Sequence, residues 1–330
     1  MRVVIALGGN AISPRGDCID TETMRKTIAS AACRLAWLCW DHEVVLTHGN
    51  GPQIGALALE AGSGPGRPTP IDVLGAETEG SIGYMLEQAI EEAVPSQSAA
   101  TLLTQTVVDR DDPAFGRPSK PIGPLYPDEK EARELAARFG WDVGPDTGGM
   151  RRVVPSPEPV RIVELEAIRL LVDAGFLVIC AGGGGVPIIE GPYGAVHGVE
   201  AVVDKDATAA LLAEGLDADM LLIATDVEGV MCDFNKPEQH LLDRVTPSGL
   251  RALDLPTGSM GPKAEACARF VERTGKRAAI ARWDELEDAI EGRAGTQVVA
   301  NAPFRVRDEA PARARDRTSR SRRSARSLRR

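Results

Sequence analysis

Val3-Val4-Ile5-Ala6-Leu7-Gly8-Gly9-Asn10 sets five apolar residues directly against a glycine pair. An unbroken apolar run of that length fits a strand buried on both faces, the environment of a parallel sheet. The glycines at its end allow a tight turn. The pattern recurs along the chain. Val44-Val45-Leu46 leads into Thr47-His48-Gly49-Asn50-Gly51, and residues 176–181 lead into Gly182-Gly183-Gly184-Gly185. Helical periodicity fills the intervals. Asp20 can cap a helix reaching about Trp40, with Met24, Ile28, Ala31, Leu35 and Leu38 on one stripe. Residues 53–60 and 74–93 read as further helices, the second with Ile82, Met85, Leu86 and Ala89 inward. Residues 100–108 read as a strand. Further on, 162–174, 207–216 and 263–274 read as helices, and 220–225, 278–281 and 297–299 as strands. This alternation predicts an α/β fold with a mainly parallel sheet covered on both faces.

One stretch breaks the rhythm. Between residues 109 and 159 lie nine prolines, at positions 113, 118, 121, 124, 127, 145, 155, 157 and 159, around one amphipathic segment at 129–139. Proline lacks the N–H a ladder or helix needs, so this stretch excludes a central strand or a continuous helix. It reads as an excursion from the main sheet, too short to bury a large core alone.

Composition removes several function classes. The 330 residues carry a formal charge of -10, but the charge is unevenly placed. Eleven arginines against Asp308, Glu309 and Asp316 give residues 305–330 a net of +8, leaving −18 on residues 1–304. An acidic body does not attract nucleic acid or an anionic membrane, and the tail lacks stacking aromatics, so it offers only weak, non-specific nucleic-acid binding. Such a tail is expected to be disordered. No apolar run approaches the roughly 18–20 residues that span a bilayer, and the opening run is too short for a signal-peptide core. The six cysteines are scattered without metal-ligand spacing, which points to thiols in a reducing cytoplasm.

In parallel α/β sheets, ligands gather where strand C-termini meet helix N-termini, because unpaired backbone N–H groups there favour anions. Three glycine clusters sit at such junctions and together point to a phosphate-binding edge. The familiar phosphate loops are missing: there is no GxxxxGK[ST], and Gly49, Gly51 and Gly55 do not make the GxGxxG spacing. Lysine is scarce. Of the seven, Lys120, Lys205 and Lys263 follow turn-forming residues, in Pro118-Ser119-Lys120, Asp204-Lys205-Asp206 and Gly261-Pro262-Lys263. Compact ammonium groups suit a transferring phosphoryl group, whose catalysis is mostly positioning and charge neutralisation. Asp206 could orient Lys205, or serve as a helix N-terminal acid stabilised by the dipole. The four histidines share no metal-ligand spacing. His48 reads as structural or near the substrate rather than as a general base.

Taken together, these motifs resemble the carbamate kinases of the amino-acid kinase family. The resemblance runs from Val3 to about Ala300. It also rests on Asp112-Pro113-Ala114-Phe115, Pro121-Ile122-Gly123, the segment Arg151-Arg152-Val153-Val154-Pro155-Ser156-Pro157, Val186-Pro187, and Gly258-Ser259-Met260-Gly261 ahead of Lys263. It implies a three-layer αβα sandwich, with 109–159 as a protruding substrate lid, in a homodimer; the kinase domain is taken as residues 1–304, and the basic segment 305–330 lies beyond the resemblance as an appended tail. It implies reversible phosphoryl transfer between ATP and carbamate, giving ADP and carbamoyl phosphate, with Mg²⁺ carried by the nucleotide and no protein metal site. In such enzymes the usual role is ATP formation in arginine breakdown. By the same resemblance Lys205, Lys263, Asp206 and Lys120 are catalytic. Gly8, Gly9, Asn10, Gly49, Asn50, Gly51, Gly183 and Gly184 hold carbamate and the moving phosphate. Thr225, Asp226, Gly258, Ser259, Met260 and Gly261 frame the nucleotide. Sister enzymes often carry a lysine where this chain has Ala6, and Lys120 could supply that charge. Gly148-Gly149-Met150 stands where basic and aromatic residues are usual. The alternatives are another small-acid kinase of the family, which would lack the Lys120 segment, and a non-catalytic nucleotide-binding homologue, which would not need the lysines.

Overall fold

The computed structural model describes residues 1–9, 12, 20–63, 69–146, 148–234, 236, 238–256, 258–301 and 305–306. Its first strand, β1 (Arg2–Leu7), has Val3 through Ala6 wholly buried, as its apolar run predicts. Asp20 caps α1 (Thr21–Leu38) by accepting the Thr23 amide at 2.9 Å, and the five expected stripe residues are buried. β2 (Glu43–His48) runs parallel to β1, with His48 opposite Leu7. α2 (Gly51–Ser63) begins inside the following glycine turn, and α3 (Ile71–Ala93) packs across α1.

The strand expected over 100–108 is two strands in different sheets. β3 (Ala99–Thr101) pairs in the main sheet, whereas β4 (Gln105–Val108) belongs to a second one. The ladder stops because side chains take over the backbone groups between them. The Thr104 amide donates to Glu79 at 3.2 Å and the Gln105 amide to Glu164 at 2.7 Å.

The proline-rich excursion is a three-stranded antiparallel sheet, β5 (Lys120–Tyr126), β6 (Asp142–Asp146) and β7 (Gly149–Val154), with α4 (Glu129–Phe139) against it. The order is β5-β7-β6, so Pro121, Pro124 and Pro145 all lie on edge strands, where a missing donor breaks no central ladder. Its own core is small: Tyr126, Ala132 and Met150. The rest is borrowed from the body, where Ile122 and Val154 join Ile54, Ala58, Ile71, Leu74 and Val202 in one apolar cluster. The backbones of α2 and β5 nearly touch there. A Cβ on Gly55 would stand 1.9 Å from the Gly123 Cα. The unusual Gly149 has a similar reason, since a Cβ would fall 2.3 Å from the Tyr126 carbonyl oxygen.

β8 (Pro159–Ile162) pairs with β4, with Ile162 opposite Thr106. The helix expected from 162 therefore starts later, as α5 (Leu165–Asp173), because Ile162 serves a strand. The alternation then resumes. β9 (Leu177–Ile179) runs into the Gly182–Gly185 turn, β10 (Val186–Glu190) and β11 (Val196–Gly198) complete the second sheet, and α6 (Lys205–Gly215) precedes β12 (Met220–Thr225). β13 (Met231–Cys232), β14 (His240–Val245), α7 (Pro247–Arg251), α8 (Met260–Thr274), β15 (Arg277–Arg282), α9 (Leu286–Ile290), β16 (Thr296–Val298) and β17 (Arg305–Val306) follow.

Among the described residues the main sheet has the order β13-β14-β16-β15-β12-β1-β2-β9-β3, parallel from β15 to β3, with β17 on β14. Alternation in β1 separates two cores. Val3, Ile5 and Leu7 face α1, α3 and α9, whereas Val4 and Ala6 face α5, α6 and α8. The fold is the αβα sandwich expected.

Candidate active site

The sheet order makes β1, β2 and β9 neighbours, so their C-terminal glycine turns meet at one edge. The approach is too close for side chains. A Cβ on Gly49 would lie 3.1 Å from the Gly9 nitrogen, and one on Gly183 would lie 2.2 Å from the Asn50 amide nitrogen. Gly8 donates its N–H to the Ala224 carbonyl at 2.9 Å, which ties this edge to the end of β12. Gly183 and Gly184 both have positive φ, +66° and +94°, and Gly184 turns against the Val203 carbonyl. Gly51 opens α2, whose first-turn N–H groups lack intrahelical partners. Asn10 lies outside the described residues.

The lysines converge on this edge through α6. Asp204 caps that helix, its Oδ1 accepting the amides of Asp206 at 2.9 Å and Ala207 at 3.2 Å. Lys205 and Asp206 are thereby fixed in the first turn. Asp206, with its side chain 5% exposed, accepts Lys205 Nζ on Oδ1 and Lys263 Nζ on Oδ2, the latter at 2.8 Å. The Lys205 Cε lies 3.7 Å from where a Gly49 Cβ would be, so this ammonium stands over the glycine edge. Lys120 arrives from β5 and pairs not with Asp206 but with Asp204 Oδ2.

Charge and burial set the protonation here. Burial works to raise Asp206, but the ammonium groups of Lys205 and Lys263 outweigh it and hold the carboxyl far below the ordinary range. Burial likewise opposes ionisation of Asp204, and Lys120 overcomes it. For Lys205 burial dominates and lowers the pKa, against the pull of Asp206; for Lys263 the Asp206 charge and hydrogen bond prevail over burial and raise it. The two readings of Asp206 both hold: it binds two lysines and sits in a helix first turn.

The expected nucleotide residues flank this cluster. Thr225 ends β12 beside Gly8, buried, with its hydroxyl 3.2 Å from Asp226 Oδ1. Asp226, Gly258 and Ser259 are exposed. Met260 and Gly261 open α8, just ahead of Lys263. Burial lowers His48 to about 4, so it is neutral, packed beneath Gly182, and unsuited to general-base work. The sequence reading missed Thr78 and Glu79. Thr78 accepts the Asn50 amide at 2.9 Å, and Glu79 accepts the Gly182 amide at 2.9 Å. Their signal was a polar pair in the inward stripe of α3, where apolar residues otherwise repeat. Among the described residues no group of three His, Cys, Asp or Glu is placed to hold a metal ion, and both Asp206 oxygens are engaged by ammonium groups.

A buried carboxylate shared by two lysines over glycine turns has the charge and geometry that phosphoryl transfer calls for, and the amino acid kinase family matches residues 1–282. The chain belongs to the amino acid kinase family. It is 46% identical to a carbamate kinase of Haemophilus influenzae over 300 residues, covering 90% of this chain and 96% of that one. Against a carbamate kinase of Thermococcus kodakarensis the identity is 49% over 313 residues, covering 90% and 99%. A structure of the Giardia lamblia carbamate kinase bound to AMP-PNP aligns with a TM-score of 0.81 at 39% identity, covering 91% of this chain and 98% of that one. Within the amino acid kinase family the chain thus groups with the carbamate kinases, and it is a kinase.

Proposed function

We propose that this amino acid kinase carries out the reversible reaction of ATP with carbamate to give ADP and carbamoyl phosphate. In the cell it would run toward ATP, at the end of arginine breakdown by the deiminase route, as a cytoplasmic homodimer. The observation that carries the reading is Asp206 holding Lys205 and Lys263 together beside the glycine edge. The identities of 46% and 49% to carbamate kinases support the choice of acceptor.

In the ATP-forming direction, a terminal oxygen of the ADP β-phosphate attacks phosphorus, and the bond from phosphorus to the carbamate oxygen breaks. Lys205 and Lys263 would neutralise the charge spread over the moving phosphoryl oxygens. Asp206 would keep both ammonium groups charged and fixed; its oxygens are both engaged, so its role is positioning. Ala6 is wholly buried and offers no charge, and Lys120 would supply the third cation from β5. Gly8, Gly9, Gly49, Asn50, Gly51, Gly183 and Gly184 would cradle carbamate and phosphate, and Thr225, Asp226 and residues 258–261 would frame the nucleotide. Mg²⁺ held by the nucleotide phosphates would add further charge neutralisation.

Purified protein given ADP and carbamoyl phosphate is expected to make ATP, read by a luciferase assay. Lys205→Ala should lower the rate at least about tenfold, equivalent to about 1.4 kcal/mol of lost transition-state stabilisation. Absence of ATP, together with phosphorylation of a different small acid, would overturn the assignment.

A further inference from the structure

α3 turns two polar side chains inward. Thr78 and Glu79 are each 1% exposed, in a stripe that otherwise reads Ile71, Leu74, Gly75, Ile82. Between them they reach two of the three glycine turns. Thr78 steadies Asn50, after β2, and Glu79 reaches the turn after β9, with one oxygen on the Gly182 amide and the other on the Thr104 amide. The space around Gly182 is closed, since a Cβ there would stand 2.4 Å from His48 Nε2 and 3.0 Å from Glu79 Cγ. Hydroxyl groups hold the remainder of the turn. Thr47 donates to the Ala181 carbonyl at 2.7 Å, and Thr106 and Thr208 donate to the Gly184 carbonyl at 2.8 Å and 3.0 Å.

These anchors show why the residue is a carboxylate. Two backbone N–H groups point at Glu79, and a carboxylate accepts on both oxygens, whereas a glutamine offers one acceptor and one NH₂. A buried carboxylate is costly, and its hydrogen bonds to these two amides offset that cost in part. We propose that Glu79 is a positioning residue of the phosphoryl-transfer site, fixing Gly182 so that the Gly183–Gly184 backbone keeps its place against Asn50 and the carbamoyl group. This inference rests on the carbamate kinase reading and adds to it a residue that does not touch the reacting atoms.

The groups facing Glu79 are His48 from β2, Cys180 at the end of β9 and Glu164 ahead of α5. Burial pushes Glu79 up to about 8, against the pull of the Thr104 and Gly182 hydrogen bonds, and the Glu164 charge adds to the rise. Burial keeps His48 neutral and the Cys180 thiol protonated, so neither changes charge where Glu79 does. Ionised Glu79 grips both amides and the protonated acid grips them less well. Carbamoyl phosphate should therefore be used better as pH rises through about 8.

The test measures KM for carbamoyl phosphate and for ADP across about pH 6.5–9.5 in the wild type, Glu79→Gln and Glu79→Asp. For the wild type, KM for carbamoyl phosphate should fall as pH passes about 8 while KM for ADP stays level. Glu79→Gln should raise the former about tenfold, remove its pH dependence, and leave the latter within about twofold. Glu79→Asp should keep the pH dependence with a weaker grip. A wild-type profile without this ionisation overturns the proposal whether or not the variants fold. So does a Glu79→Gln profile that retains it, or an equal rise in both KM values. Wild-type protein that makes no ATP at any pH would instead remove the carbamate kinase reading, and this role with it.

Discussion

Asp206 shows how one residue sets the character of a site. Its two oxygens take two lysines from different helices, and without it α6 and α8 would present adjacent like charges. Asp206→Asn keeps the shape but removes the charge, so activity should fall about 100-fold. Removing one partner of a buried pair typically costs about 3–5 kcal/mol, and here the pH dependence has a definite sign. A carboxyl whose folded pKa is depressed contributes stability above its unfolded value, near 4, and loses it as pH falls toward the folded one. The stability gap between wild type and Asp206→Asn, measured by denaturant unfolding, should be widest at neutral pH and narrow below about pH 4. The lysines themselves were legible in the sequence because lysine is scarce here and these three follow turns. Thr78 and Glu79 were not, because a polar residue in an apolar stripe looks like ordinary variation until the chain folds an amide against it.

At the level of elements, strands announce themselves by composition but not by the sheet they join. β1 and β12 were readable from their apolar runs. The break between β3 and β4 was not, because it depends on Glu79 and Glu164 capturing backbone amides from outside the segment. Likewise Ile162 carries the hydrophobicity of a helix start but is used opposite Thr106 in β8. The joint between α2 and β5 is another such case, with Gly55 and Gly123 far apart in the chain and in contact in the fold. Gly55→Ala must push β5 away from α2, and overpacking of this kind costs about 1–3 kcal/mol. Because β5 also carries Lys120, the variant should show a lower melting temperature and a KM for carbamoyl phosphate raised about tenfold, with KM for ADP nearly unchanged. An unchanged KM would show that Lys120 is not placed through this joint.

Across the whole molecule, charge is segregated between an acidic body of −18 and a basic C-terminal segment of +8. In the proposed reaction, the positive charge an anionic substrate needs would be supplied locally by Lys120, Lys205 and Lys263. No helix of the described residues is long and apolar enough to cross a membrane. Arg305 and Val306 still pair with β14, so the body extends slightly further than the motifs do. Removing residues 307–330 should therefore leave kcat, melting temperature and the mass of the particle in solution per chain unchanged apart from the deleted residues, as checked by turnover, calorimetry and sedimentation. The contact between Gly55 and Gly123 also bears on how such a protein can change over generations. Each glycine is held by the backbone of the other, so no single replacement at either site is free, and a larger residue at one is not relieved by a smaller one at the other, which is already the smallest. The surfaces of the excursion are open to drift, but its point of attachment is locked on both sides. Descendants of this chain can redecorate the excursion far more easily than they can reseat it.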